Sequence, residues 1–172
     1  METLSFKELI FRTAFCCMAC DGDIDPREIV TIKSICEKLP LFENFNIQTE
    51  ANILINKLNE QGKEFILSFF KLLEKTSLTE EEELNLIDIA QKVCWADEIL
   101  NYSEIKFFKN IRHRLKVKDE KILERFSEVE DIERFLEKEI ETESLLDKIT
   151  NQYLDIAKLS KFEVIQVDKN LL

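Results

Sequence analysis

The sequence predicts an all-α fold, a helical bundle of about seven helices built on two repeated helix-turn-helix pairs and followed by a C-terminal helical extension. Three observations predict it. Gly and Pro number only two each among 172 residues, and strand-rich folds with many tight turns draw on glycine wherever the backbone needs φ > 0. Apolar residues recur at three- and four-residue steps through most of the chain, which is the period of one buried helical face. Ser5, Asp25, Thr79 and Asn101 each stand three residues before a Glu, the capping-box spacing in which two side chains satisfy free N–H groups at a helix start.

The first helix starts after Ser5 and carries Phe6, Leu9, Ile10, Thr13, Ala14, Cys17 and Met18 as a single stripe. Asp21 and Gly22 end it, because Gly adopts the left-handed conformation that closes helices. The second begins at Asp25, has Pro26 in its first turn and runs through Ile29, Ile32, Ile35, Cys36 and Leu39 until Pro40 stops it. Pro fits a helix start and cannot continue a helix interior. A third helix is expected over about Ile47 to Asn59, and Gln61-Gly62 separates it from a fourth bearing Phe65, Ile66, Phe69, Phe70, Leu72 and Leu73. Aromatics at that spacing are expected as core.

Thr79 caps a fifth helix whose first turn is acidic, as the helix dipole favours. It continues through Leu86, Ile89, Ala90, Val93 and Cys94, and after a second corner Asn101 opens a helix with Ile105, Phe108, Ile111 and Leu115 inward. Beyond Leu115 charge becomes dense. Ser127-Glu128-Val129-Glu130 reads as another helix start, and Ile132, Phe135, Leu136 and Ile140, then Leu145, Leu146, Ile149, Tyr153, Ile156 and Leu159, make a narrow stripe. Such a stripe suits a helix packed on one side only, or a helical pair that meets a partner. The last run, Phe162 to Val167, alternates as a strand does but has no evident pairing edge; it is expected as a tail, or as an edge that adds to another chain. Two regions follow, 1–117 as the helical domain and 118–172 as the extension.

Residues Ala14 to Leu39 align without gaps on Ala90 to Leu115. Seven pairs are identical: Ala14/Ala90, Asp21/Asp97, Glu28/Glu104, Ile29/Ile105, Lys33/Lys109, Ile35/Ile111 and Leu39/Leu115. Apolar identities are common between helices, but the shared Asp and Glu in one register point to an internal repeat.

Composition narrows the function. A net charge of -11, from 24 basic and 35 acidic residues, disfavours nucleic acid or an anionic membrane as the main partner. The acid-free basic run from Lys106 to Lys118 is expected as a solvated helix face. Five cysteines, with Cys16, Cys17 and Cys20 in an apolar setting, suit a reducing, cytoplasmic compartment where thiols pack as small hydrophobes. No signal peptide or membrane span is expected, since no stretch approaches about 18 uncharged apolar residues.

The stretch Ala19-Cys20-Asp21-Gly22-Asp23-Ile24-Asp25-Pro26-Arg27-Glu28, with Ile29, Ile32 and Leu39 after it, resembles the hallmark of the TerB-like family. A second, looser copy keeps Ala96, Asp97, Leu100 and Glu104, with Glu98 in place of the Gly. The resemblance covers about residues 4 to 116. It implies a bundle of about seven helices, named for tellurite-resistance proteins and similar to the N-terminal region of certain membrane-linked DnaJ-type co-chaperones. Members are non-enzymatic stress-response or interaction modules, with acidic corner residues proposed to meet divalent metal. Carried to this chain, that points to Asp21, Glu28, Asp97 and Glu104. No J-domain signature appears, so co-chaperone activity does not carry over.

The residues themselves leave two accounts of the corners. Asp21, Asp23 and Asp25 open like a calcium loop, but Pro26 stands at position six and Ile32 at position twelve, which excludes an EF-hand. A looser site for Ca or Mg remains, drawn from Asp21, Asp23, Glu28, Asp97, Glu98 and Glu104. The structural account is that these acids cap helices and close the corners. Cys17-Met18-Ala19-Cys20 has redox spacing but sits at a helix C-terminal end, where the dipole opposes a thiolate. Gly22 and Gly62 cannot build a phosphate loop, no Glu-x-x-His occurs, and the only histidine, His113, lies in the basic run. The expectation is therefore a non-enzymatic interaction module, with a protein partner or second copy meeting the extension. The alternative is a metal-dependent hydrolase using the paired Asp corners.

Overall fold

A computed structural model of the chain describes residues 4–96, 102–129, 132, 136, 143–157, 159 and 161–165. Those residues form α1 (Phe6–Met18), α2 (Pro26–Lys38), a 3-10 turn (Pro40–Phe42), α3 (Ile47–Gln61), α4 (Lys63–Lys75), α5 (Glu80–Cys94), α6 (Tyr102–Arg112), α7 (Asp119–Arg125) and α8 (Glu143–Ile156). The fold is all-helical, with no strand among the described residues.

The helix starts follow local chemistry. Complete capping boxes stand at Ser5/Glu8, Asp25/Glu28 and Thr79/Glu82. The fourth expected box begins at Asn101, outside the described residues. Gly62 joins α3 to α4 at φ 55 and ψ -129, a backbone combination that side chains with a Cβ avoid. Where Ser127 was expected to start a helix, residues 126–128 form a turn. Phe126 is instead the C-cap of α7, its N–H donating to the Ile122 carbonyl.

α1 departs from its expected single stripe, because every residue from Leu9 to Met18 is buried, Arg12 and Thr13 included. The reason is position. α1 packs along α5, its counterpart in the second repeat, and also meets α2, α3 and α6. A helix surrounded on all sides cannot keep a polar face. Thr13 accommodates this by donating its hydroxyl to the Leu9 carbonyl at 2.9 Å.

α8 lies along α6, and the same core takes in Ile122, Phe126, Ile132 and Tyr153 from the C-terminal third. Phe70 of α4, Phe107 of α6 and Tyr153 of α8 interlock, with ring centroids 5.3 Å apart for Phe70–Phe107 and 5.1 Å for Phe107–Tyr153. Beside them, buried Asn110 donates to the carbonyls of Lys106 (2.9 Å) and Ile149 (3.2 Å) and accepts from the Thr150 hydroxyl (2.9 Å). A buried amide is tolerated only when its donors and acceptor are satisfied, so this network sets the register of α8 on α6.

The basic run is not the solvated face expected of it. Lys106 and Lys109 are buried, and Lys106 Nζ donates to Gln152 Oε1 at 3.1 Å. Arg114 stacks over Phe70, 4.4 Å from the ring centroid, and pairs with Glu74 at 2.9 Å. Arg112 pairs with Asp119. Lys106, Arg112 and Arg114 keep their charged ends paired while their stems are covered, the usual behaviour of long basic side chains at a helix interface, whereas Lys116 and Lys118 are exposed as expected.

After α8 the chain turns back along α3. Residues 161–165 have no regular secondary structure, so the strand expected over 162–167 does not form in the part described. Asn59 and Asn52 hold the backbone of Phe162 and Ile165 instead.

Candidate functional site

The first corner is a compact set of backbone-directed carboxylates. Gly22 takes φ 91, which turns the chain sharply after α1. Asp21 Oδ1 accepts from the Asp23 N–H at 3.0 Å, and Asp23 Oδ1 accepts from the Ile24 N–H at 3.0 Å. Asp25 accepts from the Arg27 N–H at 2.7 Å and pairs with the Arg27 guanidinium at 2.8 Å. Those bonds to Arg27, side chain first and backbone second, hold the Asp25 carboxyl down at about 2.

Glu28 differs from its neighbours. Its Oε2 accepts from the Asp25 N–H at 2.8 Å, yet the residue is only 6% exposed. Burial pushes its carboxyl up to about 9; the Asp25 backbone bond opposes that rise, while the charges of Asp21, Glu104 and Asp25 add to it. Glu104, the equivalent residue of the second repeat, is 5% exposed in the first turn of α6. The Cys20 thiol is also pushed up by burial, with Cys94, Glu104, Asp21 and Glu28 adding to it. Asp21, Glu28 and Glu104 therefore share one electrostatic environment, and the two repeats direct their matching glutamates into it.

Of the six candidate ligands, Glu28 and Glu104 are buried and Asp21 is half-buried, and the charges of Asp21 and Glu104 both raise the Glu28 carboxyl. Asp23 is exposed and spends its carboxylate on the adjacent backbone. Asp97 and Glu98 lie outside the described residues. Among the described residues, no group of three or more His, Cys, Asp or Glu side chains is arranged to hold a metal ion. The donor chemistry at the corner is hard carboxylate oxygen, which fits Ca or Mg better than a soft metal.

The thiols fill space. All five cysteines are free and buried. Burial pushes Cys16, Cys17 and Cys20 upward and raises Cys36 to about 12, opposite to the shift that a reactive thiolate needs. His113 is half-buried, and burial, then the charges of Arg112 and Lys109, lower its affinity for a proton.

Two features escaped the reading by periodicity. Tyr153 reaches the corner from the last helix, its hydroxyl donating to the Cys20 carbonyl at 2.9 Å. Its sequence position marks it only as one more stripe residue. The asparagine pair Asn52 and Asn59, seven residues apart on α3, does leave a sequence signal, since polar residues two helical turns apart share a face.

No family model, no curated protein and no solved structure matches this chain. No helix of the described residues is long and apolar enough to cross a membrane.

Proposed function

We propose that this chain is a non-enzymatic, TerB-like interaction module of the tellurite-resistance and stress-response type, whose carboxylate corner takes up a divalent cation of the Ca or Mg class. One observation supports it: two buried glutamates from equivalent repeat positions, Glu28 and Glu104, share their surroundings with Asp21. Capping accounts for Glu28 through its bond to Asp25. Capping leaves the cost of two buried carboxylates in place, because the charge of Glu104 adds to the cost of ionising Glu28 and like charges in a low-dielectric site repel. A dication would offset that repulsion and allow both carboxylates to ionise, releasing protons as it binds.

In this reading cation uptake stiffens the corner between α1 and α2, and a protein partner or second copy reads the result, with the C-terminal extension adding contacts. The five buried thiols fit a reducing, cytoplasmic setting. The acidic net charge of -11 favours protein over nucleic acid as partner.

Calorimetric titration with Ca and Mg, in two buffers of different ionisation enthalpy, tests the reading. The parent should bind with buffer-dependent heat, and an Asp21→Asn/Asp97→Asn variant should bind at least tenfold more weakly. Absence of heat above the blank in the parent would sink it. Phosphoester turnover by metal-loaded parent, lost in the same variant, would favour the hydrolase instead.

A further inference from the structure

The strap over α3 is held in an unusual way. Asn59 donates from Nδ2 to the Phe162 carbonyl (2.9 Å) and accepts at Oδ1 from the Phe162 N–H (2.8 Å). Asn52 accepts at Oδ1 from the Ile165 N–H (2.9 Å) and donates from Nδ2 to the Ile165 carbonyl (3.4 Å), which also receives Gln48 Nε2 at 3.3 Å. Each asparagine thus grips both polar groups of one backbone residue and reads none of its side chain. This is what one strand does for another, performed here by amide side chains on a helix.

The spacing shows a matched fit. Seven residues along a helix advance about 10.5 Å, and three residues of extended chain span about 10 Å. Asn52 and Asn59 therefore hold residues 162 and 165 only if the strap is nearly fully extended and runs antiparallel to α3. Specificity comes from two side chains on the helix side. Phe162 packs partly buried against the core. Ile165 is buried and lines a small, mainly apolar cavity together with Phe11 and Phe15 of α1, Ile29 and Ile32 of α2, and Gln48 and Ala51 of α3. Between them Glu163 and Val164 are exposed, Val164 at 58%.

We propose that this face of α3 is a receptor for an extended peptide, with residues 162–165 as its resident intramolecular ligand. The partner it fits is a protein segment with an aromatic residue followed three positions later by a β-branched aliphatic one, in extended conformation and with free backbone N–H and C=O groups at both. Such a segment makes the same four bonds to Asn52 and Asn59, with a fifth from Gln48, and covers the same apolar residues, so it binds by displacing the strap. The strap is the natural element to yield: it belongs to no helix and pairs with no strand among the described residues, and a partner segment replaces each of its bonds like for like. Extended-segment recognition through main-chain bonds, with pockets for selected side chains, is an established mode of peptide binding. The site is separate from the carboxylate corner and does not rest on cation binding there.

The test uses the full chain and a fluorescent peptide of the sequence Lys-Phe-Glu-Val-Ile-Gln-Val, with a scrambled peptide as control. In a Phe162→Ala/Ile165→Ala variant the resident strap is weakened, and the peptide should bind at least tenfold more tightly than to the parent. Adding Asn52→Ala and Asn59→Ala to that variant should abolish the gain. Circular dichroism checks that each variant is folded; if the double tail variant is not, Phe162→Ala alone, which leaves Ile165 in place, carries the same comparison. Equal affinity for parent and tail variant, binding of the scrambled peptide, or binding indifferent to the two asparagines would each overturn the proposal.

Discussion

Tyr153 of α8 donates its hydroxyl to the backbone carbonyl of Cys20, 133 positions earlier, at 2.9 Å. The bond joins the last described helix to the segment that leads into Asp21, so the C-terminal third helps to hold the corner. Burial raises the Tyr153 hydroxyl well above the ordinary tyrosine range, with the Cys20, Cys16 and Cys17 thiols contributing. It therefore stays protonated, and a donor, at neutral pH.

Replacing that hydroxyl isolates the link. Tyr153→Phe keeps the ring among Phe70 and Phe107 and removes only the bond to Cys20. Losing one buried partner costs about 1–3 kcal/mol. Urea unfolding should show a lower midpoint with an unchanged slope.

Glu28 makes stability depend on pH in a definite direction. Its carboxyl is raised to about 9 in the fold, against about 4.3 for an unperturbed glutamate. Between those values the native state holds a proton that the unfolded chain has released. The contribution is therefore complete below about pH 4 and is lost as pH rises towards 9. Glu28→Gln keeps an acceptor for the Asp25 N–H and removes the titration. The variant should match the parent near pH 5 and exceed it at pH 8 by about 1–3 kcal/mol, read from denaturant midpoints in metal-free buffer. A parent that stays level between those two pH values would contradict the burial argument.

Asn110 gives a second handle on the interface between α6 and α8. Asn110→Ala strips partners from the Ile149 carbonyl and the Thr150 hydroxyl, and also from Arg114, which donates to Asn110 Oδ1 at 3.0 Å. Orphaned buried polar groups cost about 1–3 kcal/mol each before relaxation. A net loss of about 2–4 kcal/mol is expected, together with faster amide exchange in α8 than in α1 or α5.

Ending the chain at Lys118 tests the expected division at residue 117. It removes Ile122, Phe126, Ile132 and Tyr153, all buried in the common core, and bares the face of α6 that α8 covers. The truncated chain should lose cooperative thermal unfolding. A truncation that melts as sharply as the parent would show that residues 1–117 fold alone and that the extension serves contacts only.

Much of the local structure was legible in the residues. Ser5, Asp25 and Thr79 cap where expected, because a capping box is complete within four residues and needs nothing from the rest of the chain. Gly62 closes α3 at a positive φ as expected, whereas α1 already ends at Met18 with Ala19 as its C-cap, so Gly22 at φ 91 turns the corner and does not close the helix. The Ser127 start was misjudged, since the same spacing occurs where α7 ends in a turn. The basic run misled for a different reason: Lys106 and Arg114 are charged like surface residues, but their stems lie against α8 and α4 and their ends are paired across helices. A pattern of charges does not reveal which face a later helix will cover.

For the site, the repeat picked out Glu28 and Glu104 as equivalent, and capping picked out the role of Glu28 towards Asp25. Their burial was not legible, because it depends on how the helices that carry them pack, with α1 and α5 side by side. The strap was legible only as an alternating run in search of an edge. α3 supplies that edge with Asn52 and Asn59, which no strand pattern announces. What the sequence determined by itself is what near neighbours decide: helix class, caps, turns and the repeat. What only the tertiary structure decided is the burial of Glu28 and Glu104, the bond from Tyr153 to Cys20, and the place of Ile165 against α1, α2 and α3. The physical reason is that burial and long-range contact depend on which helix faces meet, and no local period carries that information.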